Sequence, residues 1–462
     1  MPRPRGALWI CLLALCASGS TTARPAHDVL AGTWRGSAVF QDSRLDFSVR
    51  LFFDGAIARA TMSSPDLLLQ EQPLDAVQVT GRQVRFSTPD EHPLRFEGVV
   101  DGDSLRGTAA VPTLPGVVKP GRVAPTLRFA LGRGAAPASP PYAARAVRFA
   151  SGTARLAGTL FMPAAGANPH AGVVILQGSS TNLRREYTFY ADHFARAGLA
   201  VLTFDKRGNG ESSGDYGAAT YDVLAGDAAA AVECLRAQPG VDSARVGVWG
   251  LSQGAFIAPL VAAHVPSLRF IVAVSAPGMP IGESAVYQDS VRLAAAAFDK
   301  ADVQRALTLD RRLFDWLRTG LDRGELSALL AEAADTPWRR ASSLPARLPA
   351  GAALEGWYWR GRTLDPAPWW REVHVPVLAV YGAADELVPA RASARSIERA
   401  LHQARNHNVT VQVFPAANHV IRTLPLASGG NWDWPRAAPG YLELVTRWML
   451  EQTLTEPKPR SR

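Results

Sequence analysis

Cysteine is almost missing from this chain. Three occur in 462 residues, and Cys11 and Cys16 lie inside an N-terminal apolar segment, which leaves Cys234 as the one thiol beyond it. An internal disulfide there is excluded, so that part folds on packing alone. Cys234 falls in the apolar helical run of residues 228–235 and reads as a core residue. Metal-ligand patterns are missing too. There is no His-Glu-x-x-His and no cysteine pair, so no metal site is expected and no cofactor is implied. The glycine-rich stretch Asp205-Lys-Arg-Gly-Asn-Gly-Glu-Ser-Ser-Gly214 lacks the Gly-Lys-Ser/Thr of a phosphate loop and the spacing of a dinucleotide fingerprint. It reads as a structural turn. Blocks of basic charge are absent as well: the net charge of +8 is carried mostly by scattered arginines. That is a solvated basic surface, not a nucleic-acid site.

Charged residues make up 19% and hydrophobic ones 47%, a balance that builds a large globular core. Arg3 and Arg5 precede an apolar stretch at residues 7–17, followed by the small residues Ser18-Gly-Ser-Thr-Thr-Ala23. This is the layout of a secretory leader, assigned to residues 1–23, and it predicts an exported protein, periplasmic or extracellular. The apolar stretch is too short for a permanent span, and no other segment reads as transmembrane.

Residues 28–132 show short apolar/polar alternation with turns about every ten residues, which predicts a small all-β barrel or sandwich. Residues 94–100 and 104–111 flank Asp101-Gly-Asp103 and predict a hairpin. Residues 133–143, rich in Gly, Pro, Ala and Ser, read as a linker. From 144 to 455 the pattern changes to near-continuous apolar strands, at 172–176, 199–204, 245–249, 270–274, 375–381 and 409–414, alternating with helical stretches. Such strands belong in a mostly parallel sheet with helices on both faces, an α/β class of fold. Helical stretches and the aromatic runs Trp357-Tyr-Trp359 and Trp369-Trp370 fill an insertion at about 279–371, expected to form a cap. Its aromatics either line an acyl pocket or form the cap's own core.

Chemistry in such a sheet sits in loops at the carboxyl ends of strands. After residue 249 comes Gly250-Leu-Ser-Gln-Gly254, after 381 comes Gly382-Ala-Ala-Asp385, and after 414 comes Pro415-Ala-Ala-Asn-His419. A serine hydroxyl needs a base to become a nucleophile, and the base needs a carboxylate to orient it. Ser252 is therefore the candidate nucleophile, His419 the base and then acid, and Asp385 the orienting carboxylate, with Glu386 an adjacent alternative. Two backbone N–H groups must face the developing oxyanion. Gln253, which begins the following helix, and Ser179, after Gln177-Gly178, are the candidates.

These stretches, with Phe204-Asp-Lys-Arg-Gly-Asn-Gly-Glu-Ser and Pro439-Gly-Tyr-Leu-Glu-Leu-Val-Thr-Arg-Trp448, resemble the α/β-hydrolase superfamily. They look most like bacterial exported esterases or serine-aminopeptidase-like hydrolases. Gly32-Thr-Trp-Arg-Gly36 and Ser63-Ser-Pro-Asp66 resemble landmarks of the lipocalin-like β-domain that precedes that catalytic domain. The resemblance implies a serine hydrolase acting on a small ester or a short acyl or peptide substrate. Ester cleavage is the first expectation and peptidase or aminopeptidase action the second. A ligand-binding protein with an inactive hydrolase domain is the third. One departure stands out: where relatives carry acidic residues, the loop after residue 176 has Arg184 and Arg185. They are expected either to be solvated or to attract an anionic substrate group.

Overall fold

The fold is described from a computed structural model, which covers residues 30–40, 43–89, 93–110, 126–135, 138–166, 168–423 and 436–454. The leader assignment lies outside these residues.

The first nine strands are β1 (Gly32–Phe40), β2 (Ser43–Asp54), β3 (Ile57–Ser64), β4 (Leu69–Pro73), β5 (Asp75–Thr80), β6 (Gln83–Ser87), β7 (Arg95–Asp101), β8 (Ser104–Ala110) and β9 (Thr126–Gly134). They form one sheet in the order β4-β3-β2-β1-β9-β8-β7-β6-β5. The two edge strands are joined by Leu74 alone, whose N–H bonds to Ala60 O on β3 at 2.9 Å, so the sheet curls nearly closed. The expected hairpin is there, with Asp101 opposite Ser104 across the turn. Alternation puts Trp34, Phe47, Phe86, Phe96 and Phe129 inside, all buried. Phe86 and Phe96 stack at 4.8 Å, and Phe96 meets Phe129 edge-on at 5.7 Å. The interior is filled by these rings. Sequence reading did not find β3 and β4, because the inward positions of β3 are Ala60, Met62 and Ser64, too small and too polar to announce a strand.

The second sheet holds β10 (Tyr142–Ser151), β11 (Ala154–Pro163), β12 (His170–Leu176), β13 (Ala200–Phe204), β14 (Val241–Leu251), β15 (Ile271–Val274), β16 (Val377–Gly382) and β17 (Val409–Phe414). Their order is β10-β11-β13-β12-β14-β15-β16-β17. The β10–β11 and β11–β13 pairs are antiparallel and the rest parallel. One face packs on α1 (Thr188–Arg196) through Tyr190 and Phe194, together with Val445 and Trp448 of the C-terminal helix Tyr441–Leu454. The opposite face packs on α2 (Tyr221–Arg236) and α3 (Gln253–His264) through Leu224, Val232 and Phe256. This is the expected α/β-hydrolase arrangement.

Between β15 and β16 rise α4 (Ile281–Ala295), α5 (Lys300–Thr319) and α6 (Arg323–Glu332), followed by short helical turns. Asp299 caps α5 by accepting the Asp302 N–H at 2.8 Å, and Gly320, at φ 73°, ends it. Leu293, Leu309, Leu313, Trp316, Leu330 and Trp338 form a separate cap core. The aromatic runs divide between packing roles. Trp359 lies against that cap core, whereas Trp370 is fully buried in the main one. Trp357 sits 5.2 Å from Tyr216, and Trp369 packs at 5.1 Å on Phe256. Cys234 is a free thiol half-buried at the edge of the main core, and burial raises its pKa.

The two sheets meet at the turn of residues 65–68. Leu68, 4% exposed, joins the apolar cluster that contains Tyr190, Ala417 and Ile421 of the second sheet's domain. Arg422 donates to Leu67 O at 2.5 Å, and Arg436 pairs with Asp66 at 2.7 Å.

Candidate active site

Parallel register brings five strand ends to one side of the sheet. Leu176 lies opposite Gly250, Leu251 opposite Val274, Val274 opposite Val380, and Gly382 opposite Phe414. The loops that start at 177, 252, 275, 383 and 415 therefore emerge together.

Ser252 occupies the turn from β14 into α3 at φ 53°, ψ −110°. For a residue with a side chain this conformation costs about 1–3 kcal/mol and persists only where the surroundings enforce it. The flanking glycines are what allow it. A Cβ on Gly254 would come within 2.2 Å of Leu176 O, and one on Gly250 within 2.5 Å of Gly254 C. Ser252 N–H is held by Val274 O at 2.9 Å, and its own carbonyl accepts the Phe256 N–H at 2.8 Å. The side chain stands half-exposed at the N-terminus of α3, where the helix field favours negative charge.

His419 Nδ1 lies 2.8 Å from Asp385 Oδ2 and 3.0 Å from Oδ1. Both residues are buried. A carboxylate only accepts, so Nδ1 carries the hydrogen and Nε2 keeps its lone pair. Asp385 is itself fixed, because Oδ1 accepts the Leu387 and Val388 N–H groups at 2.8 and 2.9 Å. Glu386 makes no such contact with the imidazole ring, and burial raises its pKa.

Two further side chains hold this pair, and sequence reading missed both. Ser275 Oγ donates to His419 O at 2.7 Å from a fully buried position at φ 50°. Tyr287, on α4 of the cap, donates to Asp385 O at 2.7 Å. Ser275 had a findable signal, since it is the first residue after β15, where the strand-end rule points. Tyr287 had none, being an ordinary position in a cap helix.

The loop of residues 177–180 lies beside the nucleophile: a Cβ on Gly178 would sit 3.8 Å from Ser252 Cβ. Gly178 N–H is already taken by the Tyr187 hydroxyl at 3.0 Å. The backbone N–H groups of Ser179 and Gln253 donate no hydrogen bond among the described residues. Arg184 corrects the expectation for its loop. Its guanidinium binds Asp205 and Glu211 and donates to Thr159 Oγ1 at 3.2 Å, so it is neither solvated nor free for a substrate anion. Asp205 also accepts the Arg184 and Glu211 N–H groups at 2.8 and 3.1 Å, which makes the 205–214 stretch the structural turn expected of it. Arg185 is exposed.

Among the described residues no group of three or more His, Cys, Asp or Glu side chains is arranged to hold a metal ion. None of their helices is long and apolar enough to cross a membrane.

A profile of the X-Pro dipeptidyl-peptidase (S15) family matches residues 151–414. Two curated relatives, each described as an uncharacterized 31.7 kDa protein of the traX-finO intergenic region of Escherichia coli, are 37% identical over 65 residues, 14% of this chain. The chain spans 23% of the length of those curated relatives. Among solved structures, a hypothetical protein of Pseudomonas aeruginosa is 19% identical, with 68% of this chain and 95% of that one covered and a TM-score of 0.41. An esterase of Pyrococcus furiosus is 18% identical over 67% of this chain and 89% of its own, at a TM-score of 0.40. Est1E of Butyrivibrio proteoclasticus is 20% identical over 67% of this chain and 99% of its own, at 0.41.

Proposed function

We propose, from the premise that this chain belongs to the X-Pro dipeptidyl-peptidase (S15) family and is a serine hydrolase, that it is an exported enzyme cleaving carboxylic esters through an acyl-enzyme on Ser252. The observation that carries this is the Asp385–His419 hydrogen bond at the sheet end from which the strained Ser252 also projects. His419 Nε2 takes the Ser252 proton as Oγ attacks the ester carbonyl. The oxyanion faces the N–H groups of Ser179 and Gln253. His419 then protonates the departing alcohol, and the same steps run with water to release the acid.

Charge around the 178–185 loop supports esters over aminoacyl amides. An aminopeptidase substrate brings an ammonium group, which needs a free carboxylate. Here Glu186 is committed to the Leu183 N–H at 3.0 Å and to Asn182, and Glu211 to Arg184 and Arg148. The family description favours the second reading, cleavage of peptides after an X-Pro dipeptide. The filled interior of the β-domain speaks against a ligand-binding role. Export is supported by the Arg3/Arg5 leader pattern.

The test is a substrate panel on purified protein, with p-nitrophenyl acetate and butyrate against aminoacyl and X-Pro p-nitroanilides, alongside labelling by a fluorophosphonate. Esters are expected to turn over faster, and Ser252→Ala is expected to abolish the label. Faster turnover of the X-Pro anilide establishes the peptidase instead, and equal labelling of Ser252→Ala removes the nucleophile.

A further inference from the structure

We propose that Lys206 and Tyr216 are positioning residues that clamp the backbone of residues 178–180 from behind and so aim the Ser179 N–H at the oxyanion. The inference rests on Ser252 as nucleophile.

Three successive carbonyls of this loop are held by two side chains. Lys206 Nζ donates to Gly178 O and, at 2.5 Å, to Ser180 O. The Tyr216 hydroxyl donates to Ser179 O at 2.6 Å. In a trans peptide the C=O of one residue and the N–H of the next point in opposite directions. Gly178 O turned toward Lys206 therefore turns Ser179 N–H away from it. The same holds for Ser180 N–H, whose partner carbonyl faces Tyr216. Because Gly178 N–H is occupied by Tyr187, the donors left for an oxyanion on this loop are the two that the clamp orients, Ser179 N–H and Ser180 N–H.

The clamp also lies against the side chain of Gln253, whose backbone N–H is the second candidate donor. Gln253 Oε1 lies 2.9 Å from the Tyr216 hydroxyl and 3.5 Å from Lys206 Nζ. Lys206 also sits 4.5 Å over the Tyr216 ring, a cation–π contact. Both segments that carry an oxyanion candidate thus pack on one pair of side chains, one through its carbonyls and the other through the Gln253 side chain.

A purely structural account does not explain the choice of residue. Ser179 and Ser180 are exposed; the buried Gly178 carbonyl needs a protein donor, and a neutral one would serve. The molecule instead buries an ammonium group, which is costly. Desolvation pushes the Lys206 pKa down to about 7, with Glu186 opposing weakly. A fold that tolerates this gains a fixed backbone where catalysis needs one.

The experiment compares Lys206→Met, Tyr216→Phe and the double variant with wild type, using p-nitrophenyl butyrate turnover, the rate of fluorophosphonate labelling, and thermal melting. Each single variant is expected to lose about 10- to 100-fold in kcat, less than removal of an oxyanion donor outright, with KM within about threefold. Labelling should slow in parallel, melting of Lys206→Met should not fall, and the double variant should lose less than the product of the singles. Wild-type kcat and labelling in both singles overturn the clamp. So does a kcat loss accompanied by a matching fall in melting temperature, which marks a structural role. If Lys206→Met does not fold, Tyr216→Phe decides alone, since it removes only a hydroxyl. A wild type that takes no label overturns the nucleophile assignment itself, a result distinct from a labelled wild type with unaffected variants.

Discussion

The two sheets handle strain and polarity in opposite ways. In the β-domain, strands β6 to β9 run in unbroken antiparallel register around stacked phenylalanines. Register slips at β3–β4 and β5–β6, and positive φ at Leu68, Glu71 and Ala76, gather on the side that includes the turn meeting the other domain. In the second domain, strain and buried polarity gather at the carboxyl end of the sheet: Ser252 and Ser275 at positive φ, with Asp385, His419, Lys206 and Gln253 buried around them. Positive φ also occurs at Ala297, Asp322 and Arg405, and buried carboxylates at Asp289 and Asp310 of the cap, so the concentration is one of degree. The notable strain lies at the seam between domains in one sheet and at the candidate site in the other.

The contrast is broken most directly by the largest substitution effects. Ser252→Ala is expected to lower ester kcat by at least about 10⁴-fold, and Asp385→Asn by roughly as much, with melting unchanged or raised. A fall in melting temperature instead would mean that the strain serves stability. Phe96→Ala should cost about 3–5 kcal/mol in urea unfolding, because it opens a cavity among the three rings of Phe47, Phe86 and Phe129, yet leave kcat intact while the protein stays folded. Leu68→Ala lies between the two regimes: it is expected to cost about 2–3 kcal/mol and to lower kcat as well, since it belongs to the same apolar cluster as Ala417 and Ile421. Retention of full activity there would confine the seam to packing. Ser275→Ala removes one buried hydrogen bond, about 1 kcal/mol, and should slow turnover several-fold by freeing the His419 carbonyl. The smallest effect is a pH dependence. Burial pushes the Lys206 pKa down from its ordinary 10.5 to about 7, so the side chain binds its proton less tightly in the folded protein. Its charge therefore burdens the fold fully below pH 7, and the burden lifts as pH rises from 7 toward 10.5. The urea midpoint of wild type should gain on that of Lys206→Met across this window, and parallel curves would show that the ammonium is not desolvated.

Much of this was legible in sequence because the signals are local. Apolar runs followed by Gly-rich turns locate the strand ends, and so put Ser252, Asp385 and His419 at one end of the sheet. The hairpin around Gly102 is legible for the same reason. What escaped is non-local. Ser275 acquires meaning only from His419, 144 residues later. Lys206 was hidden inside a loop whose glycines suggested nothing beyond a turn. Arg184 looked available because Asp205 and Glu211, its partners, are far along the chain. Small inward residues concealed β3, and with it the route by which Leu68 crosses to the other domain.

That crossing bears on how the molecule can be taken apart. The hydrolase half is expected to lose stability when it is cut free. Severing the chain between β9 and β10 and discarding the barrel leaves an apolar socket open behind the segment that carries His419, and leaves Arg422 and Arg436 without the Leu67 and Asp66 oxygens they hold. A barrel grafted from elsewhere is expected to restore that stability only if it refills the socket that Leu68 occupies.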